Sequence, residues 1–254
     1  MVFYFTATGN SLYVAKQLDH NLMSIPQVMK SENLSFSDET IGIVSPIFSG
    51  ELPMIVQEFI NKAKINSQYI YMILTYGNDD TVAAGWSKEF AEKSGINVDY
   101  IATIKMVDNY LPVFDMSEQI KIDKNIDNQL ETIVSHIKSQ KCHIPKASLK
   151  GKILYRAVKK MHTTHPEQIN GQALVINEKC KGCGICVKVC PRGILKIENE
   201  KAIRTNDTCD FCLSCANNCP EKAIGFSSGE KNPKARYRNE NITLNEIIES
   251  NNQQ

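Results

Sequence analysis

No apolar run in this chain approaches the length needed to span a bilayer, so no membrane insertion is expected. An excess of charge is missing too. Lys and Arg number 29 against 28 Asp and Glu, a net charge of +1 that gives no general pull toward nucleic acid or acidic surfaces. The first residues lack the basic region, apolar core and small-residue cleavage site of a secretory signal, so a reducing cytoplasm is the expected setting. Absent as well are a Gly-x-Gly-x-x-Gly turn and a lysine in the first loop, which excludes a dinucleotide fingerprint and a triphosphate P-loop. What remains is the composition of a globular protein, 42% hydrophobic and 22% charged. Its 254 residues are enough for one large or two modest domains.

The chain opens with Val2-Phe3-Tyr4-Phe5, a β-branched and aromatic run suited to a buried strand. Thr6-Ala7-Thr8-Gly9-Asn10-Ser11 follows at once, and then Leu12, Ala15 and Leu18 at helical spacing. A strand–loop–helix of this kind sets hydroxyls and free N–H groups at a helix N-terminus, where an anion is favoured. The same residues also suit an ordinary capped turn. Further strands are predicted at Ile41–Val44, Tyr69–Leu74 and Asn97–Met106. Helices are predicted at Leu52–Ala63, Thr81–Lys93 and Asp123–Lys138. Alternating βα units argue for a parallel sheet covered on both faces, with its ligand beyond the carboxyl ends of the strands. Two loops at those ends, Pro46-Ile47-Phe48-Ser49-Gly50 and Thr75-Tyr76-Gly77-Asn78, each offer an aromatic ring and a glycine for a stacked planar group. Asn109 and Tyr110, after the last strand, are further candidates to line that site.

Residues 141–172 form a basic linker with a helical stripe of Leu149, Ile153, Leu154, Ala157, Val158 and Met161. Its lysines carry no interleaved aromatics, so a solvated face is expected there and not a nucleic-acid site. Cys142 is left over from the pattern that follows. Next to His143 it makes no metal site by itself.

Eight of the nine cysteines then fall in two copies of one spacing. Cys180, Cys183, Cys186 and Cys190-Pro191 are matched, 29 residues on, by Cys209, Cys212, Cys215 and Cys219-Pro220. Zinc ribbons use paired Cys-x-x-Cys with no third cysteine three residues later, and disulfides do not suit the expected compartment. Thiolates in this triple-plus-one spacing suit iron–sulfur clusters. Short strands are expected at 173–176 paired with 194–197, and at 202–203 with 224–226. Ile185, Val187, Val189, Phe211 and Leu213 are placed to shield the sulfurs. A capping-box pattern, Thr243-Leu244-Asn245-Glu246, opens a last helix that should dock on one of the domains, with the final Asn-Asn-Gln-Gln fraying.

The cysteine runs resemble bacterial two-cluster ferredoxins, and Thr-x-Thr-Gly-Asn-Ser after the first strand is similar to the phosphate loop of flavodoxins. In this order the chain resembles the fused flavodoxin–ferredoxin electron-transfer proteins. That resemblance implies a flavodoxin-like doubly wound parallel sheet over 1–140 and a small α+β ferredoxin domain over 173–228, with the linker at 141–172 and a tail at 229–254. It implies two [4Fe–4S] clusters and one FMN. One cluster would be held by Cys180, Cys183, Cys186 and Cys219, the other by Cys209, Cys212, Cys215 and Cys190. It implies that residues 6–11 take the FMN phosphate and that Phe48 and Tyr76 flank the ring. Phe48 stands where such loops often carry tyrosine. It can stack but has no hydroxyl to donate. The implied function is electron transfer between the clusters and FMN, linking one- and two-electron redox partner proteins and needing no catalytic acid, base or nucleophile. The alternatives are an FMN-dependent reductase with its own small substrate and a scaffold whose flavodoxin-like domain is empty.

Overall fold

The computed structural model describes residues 1–254, the side chain of Gln168 excepted. The first half alternates strand and helix: β1 (Val2–Tyr4), α1 (Asn10–Leu18), β2 (Leu22–Ser24), α2 (Ile25–Val28), β3 (Ser35–Ser37), β4 (Thr40–Pro46), α3 (Met54–Lys62), β5 (Lys64–Asn66), β6 (Tyr69–Tyr76), α4 (Ala83–Lys93) and β7 (Tyr100–Lys105). Five of these strands form one parallel sheet in the order β2-β1-β4-β6-β7. Counted by their appearance in that sheet this is 2-1-3-4-5, the order of the flavodoxin-like doubly wound fold. β3 and β5 pair separately, parallel, beside it.

Alternation along each strand loads both faces of the sheet. Phe3, Phe5, Ile41, Ile43, Met72 and Leu74 meet Ile55, Phe59 and Ile60 of α3 on one side. On the other, Val2, Tyr4, Val44 and Ile73 meet Leu12 and Val14 of α1 together with Leu130 and Ile133. Gly42 of β4 sits directly across from Tyr71 of β6, and a side chain at Gly42 would overlap the tyrosine ring. The bare glycine lets that aromatic lie flat over its neighbour. Element ends are shorter than predicted where the chain turns. α3 starts only after Pro53, and α4 starts after Thr81, which holds a left-handed backbone at φ 47°.

Next come α5 (Met116–Gln119), α6 (Ile126–Lys138) and α7 (Leu149–Thr164), then a short 3₁₀ turn at Pro166–Gln168. The cysteine-rich unit comprises β8 (Leu174–Ile176), α8 (Ile185–Lys188), β9 (Leu195–Glu198), β10 (Lys201–Arg204), α9 (Ser214–Asn217) and β11 (Ile224–Phe226). The strand pairing here corrects the sequence reading: β8 pairs antiparallel with β11, and β9 with β10. The reason is the two-residue turn Asn199-Glu200, with φ 48° and 59°, which sends β9 straight back as its own hairpin partner. The first and last strands are then left to close the unit. It is a small ferredoxin-type domain.

The tail is firmly attached. α10 (Leu244–Asn251) has its capping box, and Lys16 with the Thr243 cap holds the Glu246 carboxyl down at about 2. Tyr4 and Ser24 bond to Ser250, and Asn251 donates 2.9 Å to the Thr6 carbonyl. The expectation that the end frays is overturned at Asn251 and Asn252: Gln27 donates 2.9 Å to the Asn252 carbonyl, and Asn251 is fully buried. Among the described residues no helix is long and apolar enough to cross a membrane.

Candidate functional site

The two cysteine runs interleave. Cys180, Cys183 and Cys186 line one recess together with Cys219 from the second run. Cys209, Cys212 and Cys215 line another together with Cys190 from the first. Each recess is walled by apolar groups, Ile197 and Ile224 in the first, Leu174, Ile194 and Leu213 in the second. Backbone amides of Ala202, Phe211 and Ala223 donate at 3.3 Å to the sulfurs of Cys180, Cys209 and Cys219. Such bonds stabilise thiolate and help set the potential of a bound cluster. Burial pushes the Cys186 thiol up to about 12 and raises Cys212 and Cys215 well above the ordinary range. Thiolate is the ligating form, so binding a metal at these three cysteines works against that burial and releases protons. Among the described residues no group of three or more His, Cys, Asp or Glu side chains is arranged to hold a single metal ion.

A second, larger cavity of about 400 Å³ opens at the carboxyl ends of the sheet strands. It is lined by Thr6, Ala7, Thr8, Asn10 and Ser11, by Pro46 through Gly50, and by Thr75 through Asn78. These are the sequence-predicted cofactor residues except Gly9. Gly9 faces away, at φ 100°, and an added Cβ there would come within 2.9 Å of the Asn239 Cβ. Asn109 and Tyr110 also line the cavity.

The loop 6–11 is held from behind. Its carbonyls are taken by other parts of the chain: Thr6 O by Asn251, Ala7 O by the Ser214 hydroxyl at 2.8 Å, and Thr8 O by the Asn239 amide at 2.8 Å. Asn10 is fixed by donating 3.1 Å to Val107 O and accepting 2.6 Å from the Tyr237 hydroxyl, while Asn109 donates 2.7 Å to Thr8 Oγ1. Within the loop the Gly9 amide donates 3.1 Å to Thr6 Oγ1. The first N–H groups of α1, which have no partner inside the helix, favour an anion there.

The two ring loops are tight. Phe48 and Glu51 exchange backbone hydrogen bonds of 2.9 and 3.1 Å around Ser49-Gly50, both left-handed at φ 54° and 87°. Gly77 lies so close to Asp108 that any side chain would overlap its carboxyl, and burial raises that carboxyl above the ordinary carboxylate range. The volume, the donor-lined end and the aromatic flanks fit a cofactor with a planar ring and a terminal phosphate.

Two parts of the wall were not read as site residues from sequence. The first is α7, taken for a linker helix, whose Leu154, Tyr155, Val158, Met161 and His162 close one side of the cavity. The Tyr155 hydroxyl donates 2.6 Å to Glu51 Oε1, and burial with that carboxylate pushes Tyr155 up to about 12. The second is the cysteine loop itself: Phe211, Cys212 and Leu213 line this cavity as well as standing at the second quartet. A buried clamp holds that loop in place. Asp210 accepts from Arg192 and, at 3.0 Å, from the Ile55 amide at the start of α3, while Arg192 also donates 2.9 Å to Glu58.

In comparisons with known proteins, residues 159–224 match the family described as 4Fe-4S dicluster domain, and this stretch holds all eight patterned cysteines. No curated protein matches the chain. Among solved structures, the Trp repressor binding protein from Bacillus subtilis is 9% identical with a TM-score of 0.29, the match covering 42% of this chain and 85% of that one. Rubredoxin oxygen:oxidoreductase from the anaerobe Desulfovibrio gigas is 10% identical with a TM-score of 0.31, covering 55% of this chain and 36% of that one. The iron–sulfur character of the C-terminal part rests on the family match, and the flavodoxin-like character of the N-terminal part on its strand order.

Proposed function

We propose that this chain is an electron-transfer protein that passes electrons between two [4Fe–4S] clusters and an FMN seated in the 400 Å³ cavity. The observation that carries the reading is Cys212. It belongs to the second cysteine quartet and also lines the cavity, so a cluster on that quartet and a ring between Phe48 and Tyr76 would share a wall. Clusters exchange single electrons and flavins one or two, so the pair would connect one-electron partners with two-electron ones. The chain's own part is to supply sulfur ligands, amides to sulfur and phosphate, and a wall against water.

Under this reading the first quartet is the external port. Cys183 is exposed and Cys180 half-buried, whereas Cys212 is buried beside the cavity. Lys181 lines that recess, Lys179 and Lys188 flank its cysteines in the chain, and none of the three belongs to a described ion pair. Nearby, Glu178 is paired with Lys201, leaving Glu200 and Glu221 as opposing charges. A one-electron partner with an acidic face suits this surface. Lys181→Glu should slow reduction by an acidic protein donor roughly tenfold at low salt, with the difference vanishing at high salt. A stopped-flow series in salt measures it, and equal rates at low salt would remove the port from this face.

A second reading, a reductase acting on its own small substrate, is favoured by the polar groups Tyr155 and His162 on the α7 wall. Anaerobic reconstitution followed by iron, sulfide and released-flavin assays tests the first reading. About eight irons and one FMN per chain are expected. Eight irons with no flavin uptake would leave an iron–sulfur protein on an empty scaffold, and zinc in the thiol sites would end the account.

A further inference from the structure

The two cysteine loops repeat the same backbone with opposite side chains. In the first, the residues after Cys180 and Cys183 that turn left-handed are Gly182 at φ 63° and Gly184 at φ 78°. At the same two places in the second loop, 29 residues on, stand Phe211 at φ 54° and Leu213 at φ 60°. Glycine adopts this conformation freely, whereas a bulky L-residue does so only against strain.

Placement supplies the reason for the difference. A Cβ at Gly184 would meet nothing within 4 Å, whereas one at Gly182 would come within 2.6 Å of the Glu200 carbonyl, so the first loop is open at the second of its two glycines and closed by the β9–β10 turn at the first. Leu213 is 4% exposed and lines both the second quartet's recess and the large cavity. Phe211 lines that cavity too, held edge-on by Phe226 at 5.7 Å and Tyr110 at 6.4 Å, and its own amide bonds the Cys209 sulfur. Strain kept at two adjacent turns, in one loop of a repeat and on the side facing a cavity, marks a functional constraint.

We propose that Phe211 and Leu213 are positioning residues forming a dry septum between the second cysteine quartet and the large cavity. The septum excludes water from the cluster and fixes the gap across which electrons pass. The inference rests on the electron-transfer reading for its purpose, but its water-excluding part concerns the cluster alone.

The test restores the first loop's chemistry in the second: Phe211→Gly, Leu213→Gly and the double variant, in the full reconstituted chain. Iron content and the signal of the first cluster report folding. Three readouts follow: deuterium coupling to the second cluster in D₂O by pulsed electron paramagnetic resonance, the rate of iron loss to a chelator, and the rate of flavin reduction through the clusters. The double variant should keep its iron, gain deuterium coupling at the second cluster only, lose half its iron several-fold faster, and reduce flavin more slowly. Leu213→Met, which keeps the bulk, should behave as the unaltered chain. Unchanged deuterium coupling and chelator kinetics in the double variant would overturn the proposal. So would failure of the glycine variants and of Leu213→Asn, which tolerates the left-handed turn, to load the second quartet while the first loads, because the role would then be structural. If the unaltered chain takes up no flavin, the electron-transfer reading fails, and the first two readouts still decide whether the septum exists.

Discussion

Replacing Cys212 with alanine is expected to leave about four irons per chain in place of about eight, and to stop the delivery of electrons to the cavity. The loss falls on one quartet because Cys212 is a wall of the second recess, while the first draws on Cys180, Cys183, Cys186 and Cys219. Flavin added to the variant should still bind, since residues 6–11 are held by Asn251, Ser214 and Asn239 and not by the sulfur. It should be reduced by a strong chemical reductant but no longer by a one-electron protein donor. Iron and sulfide assays with anaerobic flavin spectra read both effects. A variant that keeps eight irons, or whose flavin is reduced by the protein donor at the original rate, would contradict the shared-wall geometry.

The largest effect on stability is expected at Asp210. Its side chain is fully buried and its partner Arg192 is 14% exposed. Burial raises the Asp210 carboxyl against the pull of the guanidinium, and hydrogen bonds to Glu58 and Asp210 raise Arg192 in spite of burial. Asp210→Ala would leave the guanidinium with Glu58 alone and orphan the Ile55 amide at the start of α3. Breaking a buried pair by removing one partner costs about 3–5 kcal/mol, and the half-exposed Glu58 that remains favours the lower end. At this chain length a loss of about 3 kcal/mol lowers the melting temperature by roughly 6–12 °C. Asp210→Asn should fall between the two, because it can still accept from Ile55. Thermal unfolding of the loaded protein measures the difference. A shift below about 2 °C for the alanine variant would mean that the clamp does not hold the two parts together.

How much of this was legible in the sequence depends on whether a signal is periodic. The strands β1, β4 and β6 follow from short apolar runs buried on both faces and the helices beside them from helical spacing, and the cysteine quartets from spacing alone. β2 is three residues long and its neighbour α2 carries Pro26, so neither repeats often enough to be seen; the complete strand order needed the structure. The β9–β10 pairing hung on Asn199-Glu200, a pair able to take the left-handed turn but without the glycine that usually announces it. The apolar stripe of α7 was visible, yet Leu149 and Ile153 are exposed and only its other edge meets the cavity, a division no spacing encodes. Asn251 was expected to be loose because asparagine near a terminus usually is. Its partner is a carbonyl 245 residues away, which only the folded chain brings within reach. Phe211 and Leu213 were read as shielding groups, but their strain emerged only from the backbone angles.

The most direct test of the central claim is a rapid-mixing experiment on the anaerobic, fully loaded chain with a one-electron protein donor, following cluster and flavin absorbance together. The account predicts that the clusters bleach first and the flavin follows in a step whose rate does not change with protein concentration, as transfer inside one chain requires. Flavin reduction that scales with protein concentration, or clusters that bleach while the flavin stays oxidised, would contradict it.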